Sequence, residues 1–270
     1  MSPMSDTTTL SALSYPVFAD RLPSRVLQEG KYEVRFAHTA EELDAVLRMR
    51  FRVFNVELGE GLDVSWETGC DVDEFDPVCH HLIVVYRPTG EIVGTYRLQT
   101  SSMATVHRGF YSDGEFVLSD FPEHVIRDSI ELGRACVVAE HRNTPVLLLL
   151  WKGLALYVAH NQTRFLFGCC SLTSQDPVEG RAVMDHLVAR GHVHPELALR
   201  PRPGLECYGP DFAADPGFEV KIPKLFRIYL RHGAKVCGPP AIDRQFKTID
   251  YLVVFDVAAM DPRQVRTFFG

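Results

Sequence analysis

The sequence lacks the patterns that mark several functional classes. It has no apolar run of the roughly 18 residues that a membrane-spanning helix requires. Its N-terminus does not show a charged segment followed by an apolar one, the pattern of a secretory signal peptide. There is no basic tail or arginine-rich stripe, and the formal net charge is −7, so we expect no nucleic acid partner. These absences predict a cytoplasmic protein, and they leave open a peripheral contact with the inner membrane.

Metal-binding patterns are absent as well. The seven cysteines have no zinc-like spacing, and the adjacent pair Cys169 and Cys170 suits neither a zinc site nor an ordinary disulfide. No two histidines stand four apart on a predicted helix in the manner of a zinc site. We therefore expect no metal and no cofactor, with reduced cysteines that pack as small buried side chains.

The chain has 270 residues, of which 46% are apolar and 23% are charged, a composition typical of globular proteins. Residues 1–30 contain Ser, Thr and Pro without periodicity, and they predict a loosely ordered N-terminal arm. Residues 31–270 show no obvious linker, which predicts a single domain. Within it, residues 192–222 are rich in proline and glycine and predict an irregular excursion.

Strand and helix patterns alternate along the domain. This alternation predicts an α/β (α+β) fold with a central mixed, mostly antiparallel sheet flanked by helices. The predicted strands are 32–36, 80–87, 91–100, 130–138, 164–169 and 251–255. The predicted helices are 40–54, 147–159, 177–190 and 225–231.

The segment Ile130–Arg134 is the most informative stretch. It places Glu131 and Arg134 three residues apart, directly before the apolar run Ala135–Val138. Charged groups beside so apolar a strand need partners or a polar ligand, because burying an uncompensated charge is costly. An ion pair at the mouth of the strand explains these two residues equally well.

Other charged motifs occur in a fixed order along the chain. They are Arg50-x-x-x-Phe54, Asp73-x-x-Asp76, Gly94-x-x-Arg97-Leu98 and Glu131-x-x-Arg134. This order resembles the acyl-homoserine-lactone synthases, which are acyltransferases on the GNAT (Gcn5-related N-acetyltransferase) fold. The longer pattern is more similar to the ornithine–acyl-carrier-protein N-acyltransferases, often labelled hemolysin-like, which make lyso-ornithine lipid. That similarity spans roughly residues 32–256, and its further segments are 150–154, 167–172, 229–236 and 243–250.

The resemblance implies a GNAT-like fold and a role for each motif. Glu131 would act as the general base, and Arg134 would organise the reacting groups beside it. The implied substrate-binding residues are Arg50, Phe54, Asp73, Asp76 and Arg97. The two aspartates would bind the amino-acid amine or hold the arginines. Purely structural explanations also remain open: Asp73 and Asp76 could lie in a solvated loop, Arg97 could pair with a charge at the strand edge, and Arg50 could pair with the helix dipole.

The acyl donor would lie along Cys136, Val137 and Val138, the strand that supplies backbone N–H groups in this fold. Coenzyme-A-dependent relatives follow this strand with a glycine-rich loop that cradles pyrophosphate. Residues 140–146 contain no glycine here. The sequence therefore favours acyl carrier protein as the donor and partner, with Arg142 meeting its phosphate or acidic face or else lying free in solvent.

Three functions are compatible with these observations. The first is transfer of a (3-hydroxy)acyl chain from acyl carrier protein to the α-amine of L-ornithine. The second is an acyl-homoserine-lactone synthase or another N-acyl amino acid synthase, although Glu60 stands where the lactone synthases usually have tryptophan. The third is a non-catalytic module that binds carrier protein or lipid.

Overall fold

The computed structural model describes residues 15–213 and 217–269. In these residues the α-helices are α1 Ala40–Phe51, α2 Ser65–Thr68, α3 Ser101–Val106, α4 Glu123–Arg127, α5 Thr144–Asn161, α6 Pro177–Ala189, α7 Lys224–Arg231 and α8 Pro262–Phe269, and a π-helix, Arg52–Glu57, continues α1. The strands are β1 Leu27–Glu29, β2 Tyr32–Phe36, β3 His80–Tyr86, β4 Glu91–Thr100, β5 Ser129–Val137, β6 Phe165–Leu172, β7 Lys235–Val236, β8 Ala241–Asp243 and β9 Thr248–Asp256.

These strands form one mixed sheet. Their order is β1-β2-β3-β4-β5-β6-β9-β7, and β8 pairs with β9 beside this path. Every pairing is antiparallel except that of β5 with β6, which is parallel. The connection between those two parallel strands is α5, because a parallel pair needs a crossover segment long enough to return to the same edge. The predicted mixed, mostly antiparallel sheet is confirmed.

The helices begin where the sequence provides capping side chains. Thr39 accepts a hydrogen bond from the N–H of Glu42 at the start of α1, and Asn143 accepts one from Val146 at the start of α5. Asp176 does the same for Val178 at the start of α6. Each cap satisfies a backbone donor that has no partner within its helix.

The core lies on both faces of the sheet. The larger cluster packs α5 against one face, with Leu82, Leu149 and Leu154 among its buried members. The second cluster covers the other face around Phe116, Phe167 and further residues of β6 and β9. The site described below occupies the space between these two clusters.

The N-terminal segment differs from its predicted loose arm over the residues that the structure describes. Leu22 is buried in the main core, Tyr15 packs against two smaller clusters, and β1 pairs with β2. Apolar side chains that bury in this way hold a segment that has little regular structure of its own. Residues 1–14 lie outside the described residues.

The described part of 192–222 contains no helix or strand, as its prolines and glycines predict. Among the described residues, no helix is both long enough and apolar enough to cross a membrane.

Candidate active site

The site begins where two neighbouring strands separate. β5 pairs with β6 only from Ser129 to Glu131, opposite Phe165 to Phe167, while β6 continues along β9 as far as Leu172. Beyond Glu131 the two strands diverge. A cavity of about 360 Å³ lies in this gap, bordered by Gly133–Ala135 of β5 and Gly168–Ser171 of β6.

Gly168 fixes the point of divergence. A Cβ atom at this position would lie 2.1 Å from the backbone oxygen of Leu132. No side chain fits there, so glycine allows β5 and β6 to approach closely before they part.

Strand β5 also contains a bulge beside the gap. Thr95 of β4 pairs with Cys136, and Arg97 pairs with Gly133, so Tyr96 faces two residues of β5. One of these two is Arg134, whose φ is +48°. A side chain other than glycine rarely adopts this conformation, and such bulges commonly redirect a side chain at functional sites. Here the bulge turns Arg134 towards Tyr111 and Phe246, whose ring centroids lie 4.8 and 4.3 Å from its guanidinium carbon.

The cavity crosses the sheet. Alternate residues of a strand point to opposite faces, and the cavity lining includes both sets. Arg97, Gln99, Glu131, Cys169 and Asp250 lie on one face, which we call the charged face. We call the opposite face the apolar face. Its lining consists largely of side chains of the sheet and of α5 and α7: Tyr96, Trp151, Leu154, Leu166, Phe226, Tyr229, Val253 and Phe255.

Three arginines and three aspartates form one buried network at the charged face. Arg50 donates from Nε to Asp71 at 2.7 Å and from Nη1 to Asp76 at 2.6 Å. Arg97 donates from Nη1 to Asp73 at 2.6 Å and to Asp76 at 3.0 Å.

Arg134 completes the network, with its Nη2 donating to Asp73 at 3.1 Å. Three positive and three negative charges balance, as burial at this depth requires. Although burial opposes ionisation, Arg50 and Arg97 hold the pKa of Asp76 well below its usual range.

The predicted substrate-binding residues fall into two groups, those that line the cavity and those that do not. Phe54 and Arg97 line the cavity, whereas Arg50, Asp73 and Asp76 lie behind its wall. Both carboxylate oxygens of Asp73 and of Asp76 already accept bonds from arginines. Of the two roles that the resemblance implies for these aspartates, the geometry therefore favours holding the arginines over binding an amine.

Asp71 is a member of the network that the sequence analysis missed. It stands two residues before Asp73, and this spacing in an extended segment is the signal that would have indicated it.

Glu131 lies at the cavity wall and faces a short helical turn. Its Oε2 accepts the N–H of Tyr111 at 2.8 Å, and its Oε1 accepts the N–H of Ser112 at 2.7 Å. Each oxygen retains a second lone pair. Burial raises the pKa of Glu131, and the two hydrogen-bond donors oppose this rise. A carboxylate with a raised pKa, fixed in orientation beside a cavity, is suited to accept a proton.

A second carboxylate group on the charged face was not predicted. Glu115, Asp243 and Asp250 offer oxygens that all lie within 4.8 Å of one another. Burial and the neighbouring Asp250 raise the pKa of Glu115 well above its usual range. Asp250 stands in the apolar strand β9, so the reasoning that singled out Glu131 would also have indicated it. Glu60 also lines the cavity, with its Oε1 accepting from Thr173.

The predicted donor-binding residues make their contacts outside the cavity lining. Cys136 is buried with its Sγ 3.7 Å from the Sδ of Met49, and the N–H of Val138 donates to Val93. Arg142 donates from Nε to the carbonyl oxygen of Val137 at 2.9 Å, and its two Nη atoms bind Glu57. None of these four residues lines the cavity, whose β5 border is formed by the residues just before them.

The sequence is similar to those of known acyltransferases. The model of the acetyltransferase (GNAT) domain family matches residues 49–152. The chain is 34% identical over 251 residues to an L-ornithine N(alpha)-acyltransferase of Rhodobacter capsulatus, covering 88% of this chain and 94% of that protein. It is 31% identical over 249 residues to an enzyme of the same name from Rhizobium meliloti, covering 87% of this chain and 83% of the other.

A solved structure extends the comparison to the fold. FeeM, an N-acyl amino acid synthase from uncultured soil microbes, aligns with a TM-score of 0.50 at 12% identity, over 84% of this chain and 91% of that one. At this identity the likeness concerns the fold alone, and it agrees with the GNAT-like fold that the sequence motifs predict.

Proposed function

The chain belongs to the L-ornithine N(alpha)-acyltransferase family, and from that premise we propose that it transfers a (3-hydroxy)acyl chain from acyl carrier protein to the α-amine of L-ornithine. The product would be lyso-ornithine lipid. The observation that carries this proposal is the cavity that crosses the sheet between β5 and β6. It joins a charged face suited to an amino acid with an apolar face suited to an acyl chain.

The acyl donor would bind in the gap between the strands. Beyond Glu131, β5 pairs with β4 but not with β6, so the backbone groups on its open edge face the cavity. A phosphopantetheine arm can bond to such an edge as an added strand would. Backbone N–H groups there are also suited to stabilise the thioester oxygen as it gains negative charge.

Glu131 would accept the proton that the α-amine must lose before it attacks. The new C–N bond then forms, the C–S bond breaks, and the departing thiolate takes up a proton. Positioned general bases typically contribute about 10²–10⁴-fold to such rates. Arg97 and Arg134, fixed by Asp73, line the same face and supply positive charge near the reacting groups.

Two observations support a carrier protein rather than coenzyme A as the donor. The loop before α5 has no glycine, and the side chain of Asn143 already occupies the N–H of Val146 at the helix start. A pyrophosphate cradle needs those N–H groups free.

In addition, α7 contributes Leu225, Phe226 and Tyr229 to the cavity lining and exposes Lys224, Arg227 and Arg231 beside it. These three side chains form no ion pair with any described residue. An acidic carrier protein would find complementary charge there.

The proposed reaction is tested by expressing the chain in bacterial cells that make no ornithine lipid and analysing their lipids by mass spectrometry. We expect a new lipid of the mass of (3-hydroxy)acyl-ornithine, which is absent when Glu131 is replaced by glutamine. A new lactone or an acylated neutral amino acid in place of acyl-ornithine would contradict the proposal.

A further inference from the structure

The carboxylates Glu115, Asp243 and Asp250 have no role in the reaction described so far. All three line the cavity on its charged face. Asp250 is 4% exposed and Glu115 is 7% exposed, and their oxygens lie within 4.8 Å of each other and of Asp243. No lysine or arginine makes an ion pair with any of them among the described residues. The positive charge of Arg134 acts on Glu115, but Arg134 pairs with Asp71 and Asp73 instead, and the pKa of Glu115 remains raised. Three buried carboxylates this close to one another therefore favour a positively charged ligand.

Unpartnered polar atoms in the cluster and elsewhere in the cavity lining also indicate a ligand. The Oδ1 of Asp250 has no hydrogen-bond donor in the described part of the chain, whereas its Oδ2 accepts from Thr248 at 3.1 Å. Gln99 is 1% exposed and lines the same cavity, and neither its amide nitrogen nor its amide oxygen has a partner among the residues that the structure describes. Buried polar groups in native proteins are rarely left unsatisfied. A ligand with both donors and acceptors, such as an amino acid, would satisfy Gln99 and Asp250 together.

The cluster lies next to the proposed general base. Glu131 binds the N–H of Ser112, and Glu115 follows only three residues later on the same turn. The Sγ of Cys169 lies 3.6 Å from the Oγ of Ser112 and 3.7 Å from Oε2 of Glu115. The two amines of ornithine are about 6 Å apart in an extended chain, because each of the five bonds between them is about 1.5 Å long but advances only about 1.25 Å along the zigzag. An amino acid with its α-amine at Glu131 can therefore place its side chain towards Glu115.

We propose that Glu115, Asp243 and Asp250 bind the protonated side-chain amine of the acceptor, selecting a diamino acid and protecting that amine from acylation. This inference rests on the proposed ornithine acyltransferase activity. An ammonium group has no lone pair, so it cannot attack the thioester. Carboxylates around the side-chain amine keep it in this protonated form, while the α-amine near Glu131 is free to lose its proton. The cluster thus accounts for the choice of amine as well as the choice of substrate.

A divalent metal ion fits these residues less well. Magnesium and calcium require six or more oxygen ligands, but several oxygens of the cluster are already engaged. The Oδ1 of Asp243 accepts two backbone N–H groups at 2.8 Å, and Thr248 occupies the Oδ2 of Asp250. The sulfur of Cys169 lies 3.7 Å from Oε2 of Glu115, and neither metal favours a sulfur ligand.

The test compares ornithine with norvaline, which has the same carbon chain without the side-chain amine. The variants are Asp250→Asn and Glu115→Gln, with Asp113→Asn as a matched control because Asp113 neighbours Glu115 but pairs with Arg202 at the surface. We expect each cluster variant to raise the KM for ornithine about tenfold or more, as loss of a charged hydrogen bond predicts. The kcat should stay within a few-fold, and kcat/KM for norvaline should not fall.

Thermal unfolding distinguishes ligand binding from a structural role. Since neutralising one carboxylate relieves repulsion within the cluster, the Tm of each variant should be equal to or higher than that of the unaltered protein. An unchanged KM for ornithine, or an equal loss with both amino acids together with a lower Tm, would overturn the inference. Activity that requires an added divalent metal ion and disappears with a chelator would also overturn it.

Different results would contradict binding of the side-chain amine by the cluster and acylation of ornithine by the protein. Calorimetry of the free protein measures its affinity for ornithine and for norvaline, and so it tests binding by the cluster without any acyl transfer. Selective binding of ornithine that is lost in Asp250→Asn supports the cluster even if another reaction follows. Acylation of ornithine by a protein that binds both amino acids equally would contradict the cluster and leave the proposed reaction standing.

Discussion

The guanidinium of Arg134 lies 3.1 Å from the carboxylate of Asp73, although 61 residues separate them in the sequence. The contact depends on the β-bulge that gives Arg134 its φ of +48°. Holding a non-glycine residue in this region costs on the order of 1–3 kcal/mol, which surrounding contacts must offset. Asp73 and the rings of Tyr111 and Phe246 supply those contacts. The bulge, the arginine and the acidic segment therefore act as one unit.

The first prediction concerns this pair. Asp73→Asn and Arg134→Met should each lower kcat/KM for ornithine strongly, and the double variant should be scarcely worse than either one. Residues in contact commonly couple by about 0.5–3 kcal/mol, because the first loss already leaves the partner unpaired. A double-mutant cycle on kcat/KM measures this coupling. The exposed pair Arg48 and Asp44 provides the control, which should show little effect and little coupling. Additive losses at Asp73 and Arg134 would mean that they act separately.

The second prediction concerns the general base. Glu131→Gln keeps the size of the side chain but removes its ability to accept a proton, and kcat should fall on the order of 10²-fold or more. The exposed Glu123→Gln serves as a control for loss of one negative charge on the surface. A folded Glu131→Gln protein with near-normal kcat would remove Glu131 from the proposed mechanism.

The third prediction concerns the separation of β5 and β6. Gly168→Ala would bring a Cβ atom within 2.1 Å of the Leu132 backbone oxygen, so one strand must move. Overpacking of this kind typically costs about 1–3 kcal/mol. Chemical denaturation should show this loss, and activity should fall with it because the gap changes shape. Gly114→Ala, where a Cβ meets no atom within 4 Å, should be close to neutral. Equal stability of the two variants would contradict the account of the gap.

The fourth prediction concerns pH and His81. Burial lowers the pKa of this fully buried imidazole to about 4, against 6.5 for an exposed histidine, and Arg50 and Arg97 add to the effect of burial while Asp76 opposes it. Between these two pH values the unfolded chain binds a proton that the folded protein does not. The stability that neutral His81 allows is thus complete above pH 6.5 and is lost as the pH falls towards 4. The loss amounts to about 3 kcal/mol.

His80 is affected in the same way, since burial also lowers its pKa to about 4. Urea denaturation at several pH values should therefore show a smaller slope of stability against pH for His81→Gln than for the unaltered protein over this range, by up to about 1.4 kcal/mol per pH unit, the effect of one proton. Glutamine retains a donor for the Asp76 carbonyl oxygen that His81 Nε2 contacts at 3.1 Å. An unchanged slope would mean that His81 does not govern stability there.

Much of this arrangement could be predicted from the sequence, for identifiable reasons. The segments of β4, β5 and α5 are apolar runs of strand or helix length, and the charges at Arg97, Glu131 and Arg134 are conspicuous beside apolar neighbours. The long-range pairing of Asp73 with Arg97 and Arg134 was accessible only through the resemblance to known acyltransferases. Local patterns carry no information about which of several acidic loops will meet a given strand.

Three features could not be predicted in this way. Glu115 occurs in a loop without periodicity, so nothing local connects it with Asp243 and Asp250 across the sheet. The resemblance implied that Arg50 binds substrate, but its side chain is fully buried and bonds to Asp71 and Asp76. Cys136 lies on the expected strand and Val138 directly follows it, but the cavity is lined by the residues before them, which flank the bulge.

The most direct test of the central claim uses the purified protein with L-ornithine and one (3-hydroxy)acyl chain, supplied either on acyl carrier protein or on coenzyme A. Mass spectrometry identifies the product and locates the acyl group on the Nα or the side-chain amine. We predict Nα-acyl-ornithine from the carrier-protein thioester, with kcat/KM far above that for the coenzyme A thioester. Comparable kcat/KM values for the two donors, or no acylation of ornithine by either, would contradict the account.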